Sequence, residues 1–354
     1  MGKMLLVFVI VAVGAGCFGQ TRDDKNSVST AADEVAEGDP ATRGDETRPA
    51  AIPVREHLYD RTDPADQPEE LGAVAWLRNL EHGQEESRAT GKPILLLFTE
   101  VPGCNTVKRF ANGPLSNALL VETIEDLFVP VAIYNNVGGY DREVLQRFEE
   151  PTWNNPVVRV VDADLQGVSN RYASDWSTAS FAGYLKGAVR DSGRTPPGYL
   201  ETLVYESNAS KKTAVFSMYC FWTGEVKLAG LPGVVSTRPG FLAGREVVEV
   251  TYNGRETDIG RLADAAAAAG AASGFVARDR AQKRAVSERI GNVVVDPDSV
   301  RYSAKDDKYQ VREFDLESAG LTPAQATRFN RSWVTGGESA TQWLSPRQVE
   351  ILGI

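Results

Sequence analysis

Of the three cysteines in this 354-residue chain, two stand where a thiol can react. Cys104 follows five apolar residues, Ile94-Leu95-Leu96-Leu97-Phe98, and a short loop, Thr99-Glu100-Val101-Pro102-Gly103. A helix is expected to start at it. A helix N-terminus brings partial positive charge and free N–H groups, which stabilise a thiolate and make it a nucleophile. The competing reading is a buried structural thiol, a common fate of free cysteine; the helix start favours the nucleophile. Cys220 stands beside Phe221 and Trp222, which would wrap a thiol in apolar surface or simply pack a core. Glu225 follows five residues later, and Glu246 returns on a later strand where it could serve as an acid. No C-x-x-C pair occurs, and three cysteines are too few for a disulfide scaffold. His57 and His82 read as solvated surface residues, so neither a His/Cys metal site nor a Cys–His dyad is supported. No cofactor is expected.

The elements that must hold these thiols are legible in outline. Ala73 to Arg88 carries Val74, Leu77 and Leu80 at helical spacing, and Gly91-Lys92-Pro93 stops that helix. Ile94 to Phe98 then reads as a strand buried on both faces. Helices are expected after Cys104 and near Asn117 to Asp126, a strand over Phe128 to Tyr134, and a helix over Asp141 to Phe148. Val157 to Val161 is a further strand, and Trp176 to Val189 closes with a helix. Pro156, entered through two asparagines, is a candidate cis proline facing the Cys104 loop. This alternation predicts a mixed α/β sheet with covered faces. Further on, Thr213 to Met218 reads as a strand running up to Cys220, Phe221 and Trp222, and Glu246 to Tyr252 alternates like a half-buried strand. Ala265 to Ala272 falls in an alanine-rich helix.

Around Cys104, the Gly91-Lys92-Pro93 lead, the apolar strand, the cysteine loop, Lys108 and the Asn155-Pro156-Val157 turn together resemble the thioredoxin-like superfamily over about 120 residues. Val107 stands where the second cysteine of C-x-x-C would be. The pattern Val101-Pro102-Gly103-Cys104-x-Thr106 is similar to the VPGUxT family of thioredoxin-like bacterial proteins, whose cysteine position is often selenocysteine. That resemblance implies a reactive Cys104, with Thr106 as a hydroxyl able to hydrogen-bond the thiolate. Around Cys220, the run Cys220-Phe221-Trp222, then Glu225, Leu231-Pro232-Gly233-Val234-Val235-Ser236-Thr237 and Glu246-Val247-Val248 resemble peptide methionine sulfoxide reductase A over roughly 40 residues. The resemblance implies that Cys220 attacks the sulfoxide sulfur, that Phe221 and Trp222 hold the S-methyl group, and that Glu246 protonates the sulfoxide oxygen, with Glu225 nearby. The product would be a sulfenic acid on Cys220, which a thiol must reduce. Tyr219 replaces the family's glycine, a tyrosine-bearing loop is deleted, and no recycling cysteine follows. A fold that has lost its activity therefore stays open.

The ends of the chain bear on location. Lys3, the apolar run Leu5 to Val13 and Gly14-Ala15-Gly16-Cys17 describe a signal peptide, with Cys17 at the lipidation position of a bacterial lipobox or near an ordinary cleavage site. Fourteen Asp/Glu against six Lys/Arg fall between Phe18 and Gly72, and few large apolar residues accompany them. Such a segment cannot bury enough surface to offset its ordering entropy, so 18–71 is expected as a disordered acidic tether. The formal charge of −10 gives nucleic acid no electrostatic footprint. Near the C-terminus, Thr322-Pro323-Ala324-Gln325 and Ser345-Pro346-Arg347-Gln348 are both capping boxes, predicting two short helices.

The expected organisation is α/β and α+β: segment 1–17 for export, the tether 18–71, a thioredoxin-like domain 72–192, a compact methionine sulfoxide reductase A-like domain 199–312 and a helical tail 313–354. The expected protein is an exported, lipid-anchored oxidoreductase of the cell envelope. It would reduce methionine sulfoxide in oxidised proteins or peptides through Cys220, with Cys104 as resolving thiol and an external thiol as reductant. The alternatives are a thiol peroxidase or disulfide oxidoreductase using Cys104, and a non-catalytic anchored adaptor.

Overall fold

The computed structural model describes residues 57–153, 156–336 and 339–354. The export segment, Cys17 and most of the tether lie outside the described residues. The last part of the expected tether does not. Glu69–Leu71 form a short 3-10 helix, and Leu71 is fully buried in the first core. Thr62 N donates to Trp76 O at 2.8 Å, so the chain is already docked before residue 71.

The expected helix from Ala73 begins later. Residues before it run extended: Leu77 N donates to Pro130 O and Leu77 O accepts from Ala132 N, both at 2.9 Å. The backbone there finds its partners on a strand edge, which outweighs helical side-chain spacing. Helix α1, Leu80–Thr90, starts only where the Asn79 side chain accepts from His82 N, and it ends at Gly91 in a left-handed cap. Strand β1, Ile94–Thr99, is buried along its whole length. Next come α2 (Asn105–Asn112), α3 (Ala118–Leu127), β2 (Val129–Tyr134), α4 (Tyr140–Arg147), β3 (Val157–Val161) and α5 (Thr178–Asp191). The first sheet has the order β2-β1-β3, with β2 parallel and β3 antiparallel to β1. Alternation along β1 sends Leu95 and Leu97 into one core with residues of α2, α3 and α5. Ile94, Leu96 and Phe98 go into another with Leu80, Val144 and Leu145. Both faces are covered, which is why β1 reads as a continuous apolar run.

Helix α6, Gly198–Asn208, falls in the expected second domain but buries Tyr199, Leu200 and Leu203 in the first core. Then follow β4 (Lys211–Ser217), α7 (Phe221–Leu228), β5 (Val234–Leu242), β6 (Arg245–Asn253), α8 (Ile259–Ala268), β7 (Gly274–Ala277), α9 (Arg280–Val286), β8 (Val293–Val295) and β9 (Arg301–Tyr302). The second sheet has the order β8-β7-β4-β6-β5-β9, with only β7 and β8 parallel. Phe216, Val248 and Phe275 pack against Phe221 and Leu228 of α7 and Leu262 and Ala266 of α8. The molecule is thus mixed α/β with two mixed sheets.

The tail forms α10 (Pro323–Thr335) and α11 (Pro346–Leu352), each with the expected capping box complete. It is not a detached module. Helix α10 packs on β5 and α7, and Arg328 donates to Thr202 Oγ1 of α6 at 2.8 Å. Arg347 reaches Glu122 and Glu125 of α3.

Candidate active site

Cys220 is placed by a turn off the second sheet. Strand β4 ends at Ser217, and Met218 N still reaches Glu246 O at 3.2 Å. The chain then leaves the sheet through Tyr219, which is 95% exposed. Cys220 is the N-cap of α7, in extended conformation and with no side-chain cap bond of its own. The expected strand through Phe221 and Trp222 is therefore a helix start. Packing here is close: a Cβ at Gly224 would lie 1.8 Å from Met218 Sδ, so any larger residue would displace the Met218 side chain. Glu246 Oε2 accepts from Phe221 N at 2.9 Å, on the first turn of the helix that Cys220 caps. The thiol and a carboxylate thus share one helix N-terminus, where backbone donors lack partners within the helix. The Thr223 hydroxyl stands 3.9 Å from Cys220 Sγ. Cys220 is part-exposed and opens on a cavity of about 370 Å³, walled by Met218, Tyr219, Thr223, Lys227 and the 270–273 turn.

The other residues expected at this site are turned elsewhere. Phe221 is buried edge-to-face against Phe241. Trp222 stacks on Tyr309, with ring centroids 3.6 Å apart, and donates to Asp306 at 3.2 Å. Neither lines the cavity beside Cys220. Glu225 is fully buried and ion-paired: Lys308 Nζ donates to Glu225 Oε1 at 2.7 Å, Lys308 N to Oε2 at 3.1 Å, and Thr237 Oγ1 to Oε1 at 2.9 Å. Burial pushes the Glu225 carboxyl up, against the opposing pull of Lys308. Burial likewise opposes charge on Lys308, but Glu225 and Asp307 outweigh it and hold the ammonium above its ordinary range. Glu225 thus anchors α7 to the late segment around Lys308, away from the cavity.

Cys104 is the N-cap of α2, as its position after β1 predicts, and it is exposed rather than buried. Its loop is held from three sides. Gly103 N donates to the buried Glu70 at 2.9 Å, and Lys108 pairs with Glu69. Val101 N donates to Asn136 Oδ1 at 3.2 Å, and Asn136 Nδ2 returns a bond to Val101 O at 3.3 Å. No hydrogen bond joins Thr106 to Cys104 among the described residues. The antiparallel register pairs Phe98 with Val157, so Pro156 lies at the end of β1 from which the cysteine loop leaves. Its bond to Asn155 lies outside the described residues; the cis X-Pro bond present is Val101–Pro102, within the loop itself.

The two thiols are both free. They cap helices on different sheets, and among the described residues no disulfide, hydrogen bond or cavity wall joins them. Sequence reasoning missed Glu69 and Glu70, which read as tether, and Asn136. It also missed Lys227, which helical spacing from Cys220 would have revealed had Cys220 been placed at a helix start. No group of three or more His, Cys, Asp or Glu among the described residues is arranged to hold a metal ion. No described helix is long and apolar enough to cross a membrane.

No family model matches this sequence, and no curated protein matches it. A solved structure described as "DsbH Oxidoreductase" is similar to part of it, with 16% identity and a TM-score of 0.30. The likeness covers 35% of this chain and 90% of that one. Function is therefore argued from the chain's own geometry.

Proposed function

We propose that this protein is a thiol-dependent oxidoreductase and that Cys220 is its reacting sulfur, acting on methionine sulfoxide in an oxidised protein or peptide. The observation that carries this is the start of α7, which Cys220 caps beside an open cavity and where Glu246 accepts from the next backbone N–H. The helix N-terminus favours the thiolate, and Glu246 is the carboxyl we assign to pass a proton to the sulfoxide oxygen. Cys220 sulfur attacks the sulfoxide sulfur; the oxygen passes to Cys220 as a sulfenic acid and methionine leaves as its sulfide. One external thiol then displaces water to form a mixed disulfide, and a second releases Cys220 as thiol. The resemblance of this half to methionine sulfoxide reductase A supports the same step. S-methyl recognition differs from the family's, because Phe221 and Trp222 are engaged elsewhere. Resolution by Cys104 has no support in the geometry.

The test is multiple-turnover reduction of a methionine sulfoxide peptide with dithiothreitol as reductant. Cys220→Ser should abolish turnover, Glu246→Gln should lower it by about 10²-fold, and Cys104→Ser should leave it unchanged. Full activity of Cys220→Ser would overturn the reading.

A second reading places a thiol peroxidase or disulfide exchange on Cys104. It is favoured by the exposure of that thiol on a helix N-terminus in a thioredoxin-like half. Peroxide consumption lost in Cys104→Ser and retained in Cys220→Ser would select it. Export and lipid anchoring through Cys17 belong to the same proposal: such a protein would repair sulfoxides in the cell envelope. Retention in the detergent phase that disappears in Cys17→Ser would support the anchor.

A further inference from the structure

Building on Cys220 as the reacting sulfur, we propose that its cavity selects sulfur compounds that carry a carboxylate, and that Lys227 is the residue that selects them. Cys220, Thr223, Gly224 and Lys227 stand at positions i, i+3, i+4 and i+7, which is one face of a helix. All four line the cavity of about 370 Å³. The rest of the lining is the 270–273 turn, Gly-Ala-Ala-Ser, together with Met218 and Tyr219. Lys227 is the one charged side chain among the residues lining it. Its ammonium donates to Gly270 O at 3.0 Å, which leaves two of three N–H donors for a ligand. No ion pair engages Lys227 among the described residues.

The cavity therefore runs from a thiol, between small uncharged walls, to a cation. Seven residues of helix rise separate Cys220 from Lys227 by about 10 Å. An extended peptide covers that span in about three residues. A sulfoxide two or three positions from Asp or Glu would place sulfur at Cys220 and carboxylate at Lys227 together. Glu246 sits at the thiol end, bonded to Phe221 N, and is not part of the cavity wall. Glu246 is the same in every variant compared, so the informative quantity is the change caused by altering Lys227 alone.

The experiment labels the full chain with two methanethiosulfonates, one bearing a sulfonate and one a trimethylammonium group. In each case Cys220 sulfur displaces methanesulfinate and forms a mixed disulfide, and site-resolved mass spectrometry follows Cys220 and Cys104 separately. The anion-to-cation ratio of rates at Cys220 should fall about three-fold in Lys227→Met and about ten-fold in Lys227→Glu, as expected for one and two charges removed at this distance. The ratio at Cys104 should stay constant. An unchanged ratio at Cys220 in Lys227→Glu, or an equal change at both cysteines, would overturn the proposal. In the turnover assay, a sulfoxide peptide with Asp two residues away should have a lower KM than one with Lys, and Lys227→Glu should reverse that order. Turnover that survived Cys220→Ser would sink the sulfoxide reading, while the labelling ratio would still report on Lys227.

Discussion

Glu225 and Lys308 lie 83 residues apart in sequence and meet where neither has water. Replacing Glu225 by alanine leaves the Lys308 ammonium with Asp307 and a carbonyl but without its buried partner. Removing one member of a buried pair typically costs about 3–5 kcal/mol, because the remaining charge stays desolvated. Glu225→Ala should therefore lower the urea midpoint strongly, and Glu225→Leu with Lys308→Met should recover most of the loss. A double variant as unstable as the single one would show that the pair does not behave as a coupled unit. At the cysteines the contrast is one of surroundings. Cys220 shares its helix start with a carboxylate and opens on a walled cavity, whereas Cys104 stands in solvent on a loop that other residues hold.

Strand β3 depends on a charge cluster at its start. Glu150 accepts from Arg159 at 2.6 Å and from Arg171 at 2.7 Å. Burial alone would raise this carboxyl, but the two guanidiniums outweigh it and hold the group below its ordinary value of 4.5. A depressed carboxyl stabilises the folded state above the unfolded value, and that contribution fades as pH falls through the folded one. Acid titration should thus show wild type losing stability below about pH 4.5, with Glu150→Gln less stable at neutral pH and flatter in that window. Helices α10 and α11 are joined through their caps. Gln325 and Gln348, each three residues after the N-cap of its capping box, exchange amide hydrogen bonds of 2.8 and 3.2 Å in the interior. Gln325→Leu should cost about 1–3 kcal/mol, since it strands the Gln348 amide, while Gln325→Glu should cost more by burying a charge. Thermal denaturation of the two variants would rank them.

At the scale of the whole molecule the tail ties both sheets together. Helix α10 covers β5 and α7, Arg328 holds α6, and Arg347 holds α3. Removing residues 313–354 would bare Val311 and the surface of β5 and α7 that α10 covers. We expect that truncation to lower the thermal stability of both halves, not of the second alone. Tryptophan fluorescence and far-ultraviolet circular dichroism should continue to report one shared transition in the full chain, and separate ones after truncation.

Local chemistry was readable without a structure. The strand β1, the helix start at Cys104, both capping boxes and the alternation of β6 follow from side-chain period and cap residues, which act within a few positions of themselves. The limits of what those signals reach are physical too. Residues 73–78 have helical spacing yet form no helix, because the edge of β2 offers Leu77 backbone partners from more than fifty residues away. Glu69 and Glu70 read as solvated tether, yet one is buried against Gly103 and the other pairs with Lys108. Phe221 and Trp222 sit beside the cysteine in sequence, but a helix turns successive side chains through about 100°, so they leave the cavity while Lys227 enters it. The sequence by itself determined which two sulfurs to consider and the kinds of element that carry them. Only the tertiary structure decided which side chains share each thiol's space, because that choice is made by contacts between segments distant in the chain.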